Sequence, residues 1–203
     1  MPLESDFGHI DIYLFDQLLK GRIGPRDRIV DAGCGFGRNL VYFLRQGWPV
    51  FGFDQDADAI ADVRRLARAL APDLPAENFR VEPIERSTFP DAAGTVVISS
   101  AVLHFAPDDE TFDAMLDGTW RLVSPGGMLF CRLASSIGIA DRVQRIGSSG
   151  RRYRLPDGTD RYLVDEELLM DRTRRLGGQL LDPLKTTIVQ NQRAMTTWVV
   201  RRN

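Results

Sequence analysis

The sequence predicts an α/β protein whose doubly wound, mostly parallel sheet closes with an antiparallel hairpin. Three observations point there. Short apolar runs alternate with stretches of helical periodicity. The runs are almost continuously apolar, as expected of parallel strands covered on both faces. The last two runs are joined by only a short connection, which suits a hairpin. At 203 residues the chain reads as one domain, residues 1–203, large enough to build its own core.

Taken in order, residues 9–20 space Ile10, Tyr13, Leu14 and Leu18 as a helix. RIVDAG (28–33) is a buried strand ending in glycine, and residues 37–46 form the helix after it, with Leu40, Val41 and Leu44 on one face. PVFGFD (49–54) is the second strand. Asp56 caps a helix running to Leu70, with Ile60, Val63 and Ala67 inward. NFRVEPI (78–84) and TVVISSA (95–101) are the third and fourth strands. A helix spans Asp108 to Val123, and GGMLFCRLA (126–134) is the fifth strand. Regularity breaks at 135–162, rich in Ser, Gly and Arg, with a PDG turn signal at 156–158. So long an insertion is read as a mobile lid. A helix resumes at 165–176 with Asp165, Glu166 and Glu167 favourable at its start. Runs 180–190 and 194–202 are the closing hairpin, giving seven strands.

Composition removes several classes. Apolar residues make up 43% and charged residues 27%, which is ordinary globular usage. No apolar run reaches the ~20 residues of a membrane span. The first residues, MPLESDFGHIDIY, lack the features of a signal peptide, and the two cysteines, Cys34 and Cys131, cannot form a disulfide scaffold. A cytoplasmic protein is expected. Arginine outnumbers lysine 24 to 2, which reads as GC-rich, bacterial codon usage. Residues 1–131 carry 12 basic and 20 acidic side chains, and residues 132–203 carry 14 and 8. The later basic residues alternate with acids, so no nucleic-acid surface is expected. No His, Cys and acid cluster has metal-ligand spacing.

The chemistry concentrates in DAGCGFGRN (31–39). Gly33, Gly35 and Gly37 let the backbone turn sharply and approach a ligand. Asp54, at the end of the next strand, can accept both hydroxyls of a ribose. A dinucleotide fingerprint starting at Gly33 would need glycine at 38, where Arg38 stands. Asp31 would also repel a pyrophosphate. S-adenosylmethionine (SAM) has no phosphate, and an acid near the loop suits its ammonium and sulfonium.

DAGCGFG (31–37) with FGFD (51–54) resembles motifs I and II of the Rossmann-like class I methyltransferases that use SAM. VVISSAVLHF (96–105) and LVSPGGMLF (122–130) look like the fourth strand and the fifth-strand turn of that family. The likeness covers about residues 28–133, and within the family the small bacterial enzymes are nearest. It implies a sheet of order 3-2-1-4-5-7-6, methyl transfer, and S-adenosylhomocysteine (SAH) as product. It implies cofactor contacts from Asp31, Gly33, Gly35, Gly37, Asn39, Asp54, Gln55, Ile84, Glu85 and Ser100. It also implies an N-terminal segment that lids the cofactor, a plain packing helix being the alternative. The sequence departs from the family in two places. Pro83 stands where an adenine-binding acid is usual, so Glu85 or a backbone carbonyl takes that part. Gly94-Thr95 replaces a usual Phe-Asp.

His104, after the fourth strand, is the candidate general base, with a packed loop histidine as the plainer reading. Cys34 is expected to be a small buried filler. Arg132, Arg151 and Arg152 are candidates to face the acceptor, though solvated surface is the simpler reading of each. The expected function is methyl transfer from SAM to a small-molecule acceptor, with neither nucleic acid nor membrane as partner. The alternatives are a SAM-binding protein without transfer and a nucleotide-dependent oxidoreductase.

Overall fold

A computed structural model of the chain describes residues 3–148 and 150–203; Met1, Pro2 and Ser149, the last within the predicted lid, lie outside the described residues. The chain opens with helices α1 (Leu3–Phe7) and α2 (Ile12–Leu19). Then follow β1 (Ile29–Ala32), α3 (Val41–Arg45), β2 (Val50–Asp54), α4 (Ala57–Leu70), β3 (Phe79–Val81) and β4 (Gly94–Ser100). Next come α5 (Asp109–Arg121), β5 (Val123–Ser135) and three short strands, β6 (Gln144–Arg145), β7 (Arg152–Arg154) and β8 (Asp160–Tyr162). Helix α6 (Glu166–Arg175) leads to β9 (Gly178–Leu180), β10 (Lys185–Val189) and β11 (Arg193–Arg202).

The main sheet has the order β3-β2-β1-β4-β5-β11-β10, and β9 pairs with β11 beside β10. Strands β1 to β5 are parallel neighbours, and β11 runs antiparallel to β5, β9 and β10. This is the expected 3-2-1-4-5-7-6 arrangement, with its sixth strand split in two. The break falls at 181–184, where Pro183 has no amide to give to a ladder. Along β1, β4 and β5, alternate residues enter two different cores. Val30, Val97, Leu129 and Cys131 pack with Phe112, Leu116, Trp120 and Leu169 of α5 and α6. Ile29, Val96, Ile98 and Phe130 pack with Leu14, Phe43, Leu44, Ile60 and Val63 of α2, α3 and α4. Helices therefore cover both faces, and the chain reverses its direction across the sheet between β1 and β4. Ligands in such sheets bind above the strand ends at that point.

Asp56, Asp108 and Asp165 cap α4, α5 and α6 through backbone amides two or three residues on, as the sequence leads one to expect for the first of them. Two helices are shorter than predicted. Helix α2 starts at Ile12 because Asp11 is its cap, accepting from the Tyr13 amide at 3.0 Å. Helix α3 starts only at Val41 because Gly37, with φ +77°, keeps the preceding residues in tight turns.

The 135–162 segment departs most from expectation. It folds into a small antiparallel sheet, β6-β7-β8, with the PDG turn joining its last two strands. Leu155 and Leu163 are buried against Ala134 with Val143, Tyr153 and Met195 around them. Tyr162 stacks on Phe112 of α5, ring centroids 4.4 Å apart. The segment is thus a folded flap with its own small core and an anchor on α5, not an irregular loop. Among the described residues no helix is long and apolar enough to cross a membrane.

Candidate active site

Three glycines follow β1, all with positive φ, and they do different work. A Cβ on Gly33 would come within 2.6 Å of Val102, and one on Gly37 within 3.2 Å of Val63 and 3.1 Å of Leu66. These two glycines let the loop pack against the turn after β4 and against α4. A Cβ on Gly35 would meet nothing within 4 Å. Gly35 itself lines a cavity of about 940 Å³ that the loop borders.

That cavity lies above the carboxyl ends of β1, β2 and β4. Gly33, Gly35, Asn39, Asp54, Gln55, Ile84, Glu85 and Ser100, all implied by the sequence, line it. Asp54 holds the loop in place: its Oδ2 accepts from the Gly35 amide at 2.9 Å and its Oδ1 from the Asp56 amide at 3.0 Å. Each carboxylate oxygen keeps a further lone pair for a ligand. Pro83 and Glu85 also stand on the wall. Helix α5 presses close behind them, since a Cβ on Gly118 would sit 2.5 Å from the Ile84 carbonyl. Thr111 and Met115 of α5 and the exposed rings of Phe36 and Phe105, none of them singled out by the sequence, also line the cavity, together with His9 and Arg38. Ala101, at the end of β4, is held at φ +65°, a conformation that costs a non-glycine residue energy and is typical of functional turns.

Two expected contacts lie off the wall. Gly37 packs on α4, as described. Asp31 is buried behind the loop, and neither of its carboxylate oxygens has a hydrogen-bond partner. Burial pushes its carboxyl up to about 7; the Arg38 charge opposes this and the Asp54 charge adds to it.

His104 is buried and does not reach the cavity lining. Its Nδ1 accepts from the Ala134 amide at 3.1 Å, tying the turn after β4 to β5. Burial, and then the Arg161 charge, hold its imidazole down to about 4. The general-base reading is therefore corrected to a structural one. Arg132, a candidate to face the acceptor, donates instead to Asp11 Oδ2 at 3.0 Å and stacks over the Tyr13 ring. Arg151 pairs with Asp165 at 2.6 Å. No described residue of 135–162 lines the cavity. Cys34 is on the wall but buried, and burial raises its thiol well above the ordinary value, so it fills space as expected.

Asp11 is what the sequence reading missed. Besides capping α2, it accepts at Oδ2 from Ser100 Oγ at 3.2 Å and lies 3.6 Å from Arg38. Its amide donates to Asn39 Oδ1 at 3.0 Å, and Arg38 donates to Ser100 Oγ at 2.9 Å. One buried carboxylate thus links the start of α2 to the glycine loop, β4 and β5. The signal was present as an Asp just ahead of a helical run. Starting the helix at residue 9 hid it.

Among the described residues no group of three or more His, Cys, Asp or Glu could hold a metal ion. Residues 30–131 match the methyltransferase domain family. No curated protein matches the chain. A SAM-dependent methyltransferase from Methanosarcina mazei has the same fold, with TM-score 0.71 and 18% identity, over 91% of this chain and 96% of that one. The 1,6-didemethyltoxoflavin-N1-methyltransferase of Burkholderia thailandensis aligns with TM-score 0.69 and 18% identity, over 100% of this chain and 81% of that one. The magnesium protoporphyrin IX methyltransferase of Synechocystis PCC 6803 aligns with TM-score 0.69 and 16% identity, over 95% and 77%. At these identities the structural likeness is one of fold, and the assignment rests on the family match together with the glycine loop. The chain belongs to the methyltransferase domain family, in its class I, Rossmann-like form, and is a SAM-dependent methyltransferase.

Proposed function

We propose that the protein binds SAM along the glycine loop and transfers its methyl group to a small-molecule acceptor held in the same cavity, releasing SAH. The observation that carries this is the cavity itself. Its volume of about 940 Å³ joins a nucleoside cradle to an apolar wall, and it is concave and enclosed enough for small ligands. Two solved enzymes of this fold act on small molecules, 1,6-didemethyltoxoflavin and magnesium protoporphyrin IX, which supports the same class here.

The residues fit the cofactor. Asp31 is a buried acid with no partner, and its place behind the loop suits a cationic ligand in the cavity without direct contact. Gly35 leaves room for close approach. Asp54 and Gln55 stand where a ribose is held, Ile84 and Glu85 where adenine is held, and Asn39 and Ser100 on the methionine side. When bound, SAM supplies a methyl group made electrophilic by its sulfonium. The chain's contribution is then orientation and exclusion of water. His104 is tied to the Ala134 amide, and the imidazole that stands on this wall is that of His9.

Two predictions test the cradle. Asp54→Ala should weaken SAH binding by about 1.5–3 kcal/mol, the range for hydrogen bonds to charged groups, while leaving the chain folded. Isothermal titration calorimetry checks this, and an unchanged affinity removes Asp54 from the site. The second concerns Asp31. Its folded value lies above the ordinary carboxylate value of 3.8, so ionising it costs the fold. Its contribution to stability is full below that ordinary value and is lost as pH rises through about 7. A cationic ligand in the cavity favours the ionised form, so SAM binding near neutral pH should release a proton. Binding enthalpies in buffers of different ionisation heat should reveal it, and Asp31→Asn should abolish it. No proton release in the unaltered protein would separate Asp31 from the cofactor. The activity itself is tested with isotopically labelled SAM and a panel of small acceptors, read by mass spectrometry.

A further inference from the structure

The charges around the cavity are not evenly placed. Asp54, Asp56 and Glu85 line the cradle, which suits a cofactor of net positive charge. Phe36 and Phe105 line the same cavity and are 65% and 56% exposed, unusual for rings of this size in a concave wall. Phe105 is not bare on every side. The Arg161 guanidinium sits over its ring, 4.8 Å from the centroid, and the His104 ring meets it edge-on at 4.6 Å. The next wall residue, Ala106, accepts through its carbonyl from Arg152 Nη1 at 3.2 Å. Strands β7 and β8 of the flap therefore bring two guanidinium groups to two consecutive residues of the wall.

Two acids share this edge, and both feel the Arg161 charge, Asp160 that of Arg152 as well. Asp160 is held by Arg154, and Asp157 accepts from the amide and the hydroxyl of Thr159. Three arginines, Arg152, Arg154 and Arg161, thus face two acids, and the flap edge is left positive. Arg161 also touches the site electrostatically, since its charge contributes to the low basicity of His104.

We propose that the acceptor is a planar, aromatic molecule carrying an anionic group, its ring against Phe36 and Phe105 and its anion toward Arg161 and Arg152. This rests on the small-molecule reading above and names the acceptor's class. Aromatic faces recognise a flat ring, and guanidinium charge close behind the wall attracts an anion. The flap, although it does not border the cavity, then sets acceptor choice from behind the wall.

The test uses the full chain saturated with SAH and two probes, naphthalene-2-carboxylate and naphthalene-2-carboxamide, titrated by calorimetry at neutral pH. The carboxylate should bind roughly tenfold or more tightly than the uncharged amide, as attraction by the guanidinium charges behind the wall implies. Arg161→Gln, alone or with Arg152→Gln, should erase that preference while SAH affinity stays unchanged, which also shows that the variant is folded. Phe105→Ala should weaken both probes. Equal binding of the two probes, a preference that survives the double substitution, or no binding of the carboxylate at millimolar concentration each overturns the proposal and leaves the cofactor reading intact. Failure of SAH to bind the unaltered protein would overturn that reading and this one with it.

Discussion

Gly35→Val is expected to give a folded chain that no longer binds SAM or SAH. The position sits at φ +50°, so any side chain costs about 1–3 kcal/mol of backbone strain. That is a tolerable part of a domain's stability of about 5–15 kcal/mol. The folded structure offers no clash, because a Cβ there meets nothing within 4 Å. Gly35 lines the cavity, and a branched side chain there should obstruct close approach of the ligand to the loop backbone. It would also disturb the Gly35 amide that Asp54 accepts at 2.9 Å, so the ribose side suffers too. Affinity should fall at least ~100-fold, about 2.7 kcal/mol, with only a small drop in Tm. The contrast with Gly33→Val sharpens the test. That side chain would run into Val102, so its main effect should be on folding. Near-normal SAH affinity in Gly35→Val would place the cofactor elsewhere.

The second large effect is expected at Asp11. Its side chain is fully buried, and it is at once a helix cap and the partner of Arg132, Ser100 and Arg38. Removing a cap costs about 1 kcal/mol. Removing one member of a buried ion pair costs up to about 3–5 kcal/mol, because the other charge is left in place. Arg132 and Arg38 are 22% and 44% exposed, so water relieves part of that cost. Asp11→Ala should therefore lose about 3 kcal/mol in urea unfolding. Amide exchange in 12–19 should rise more than in the sheet, because α2 loses its anchor. Asp11→Asn keeps the cap and loses the charge, and should fall between the two. A variant as stable as the parent would show that the N-terminal helix is held by its apolar face alone.

Much of this protein was legible in its sequence. The strands beside the site are short and apolar on both faces, and no helix of that length competes with them. Asp56 announced α4, and the DAGCGFG loop announced the cradle. What escaped the sequence depends on contacts far apart along the chain. The flap reads as a loop because its strands are two or three residues long and carry arginine at alternate positions, and only Tyr162 on Phe112 and Leu155 in its own small core reveal the packing. His104 looks catalytic by place and type. Its burial and its bond to the Ala134 amide become visible only when β4 and β5 lie side by side. Asp11 is separated from Arg132 by 121 residues, a distance that no local pattern spans.

That separation bears on how the protein is made. Asp11 braces Ser100, Asn39 and Arg38 directly and Arg132 across 121 residues, and Tyr13 bonds to Thr187 across 174. A chain emerging from the ribosome holds its first helix without a docking place until β5, and then β10, have followed. The N-terminal helix is thus among the last parts to settle, and long-range closure of this kind is slow. Chains arrested before residue 187 already contain the whole glycine loop and lack the Tyr13–Thr187 bond, so amide exchange in 12–19 should be faster in them than in longer chains.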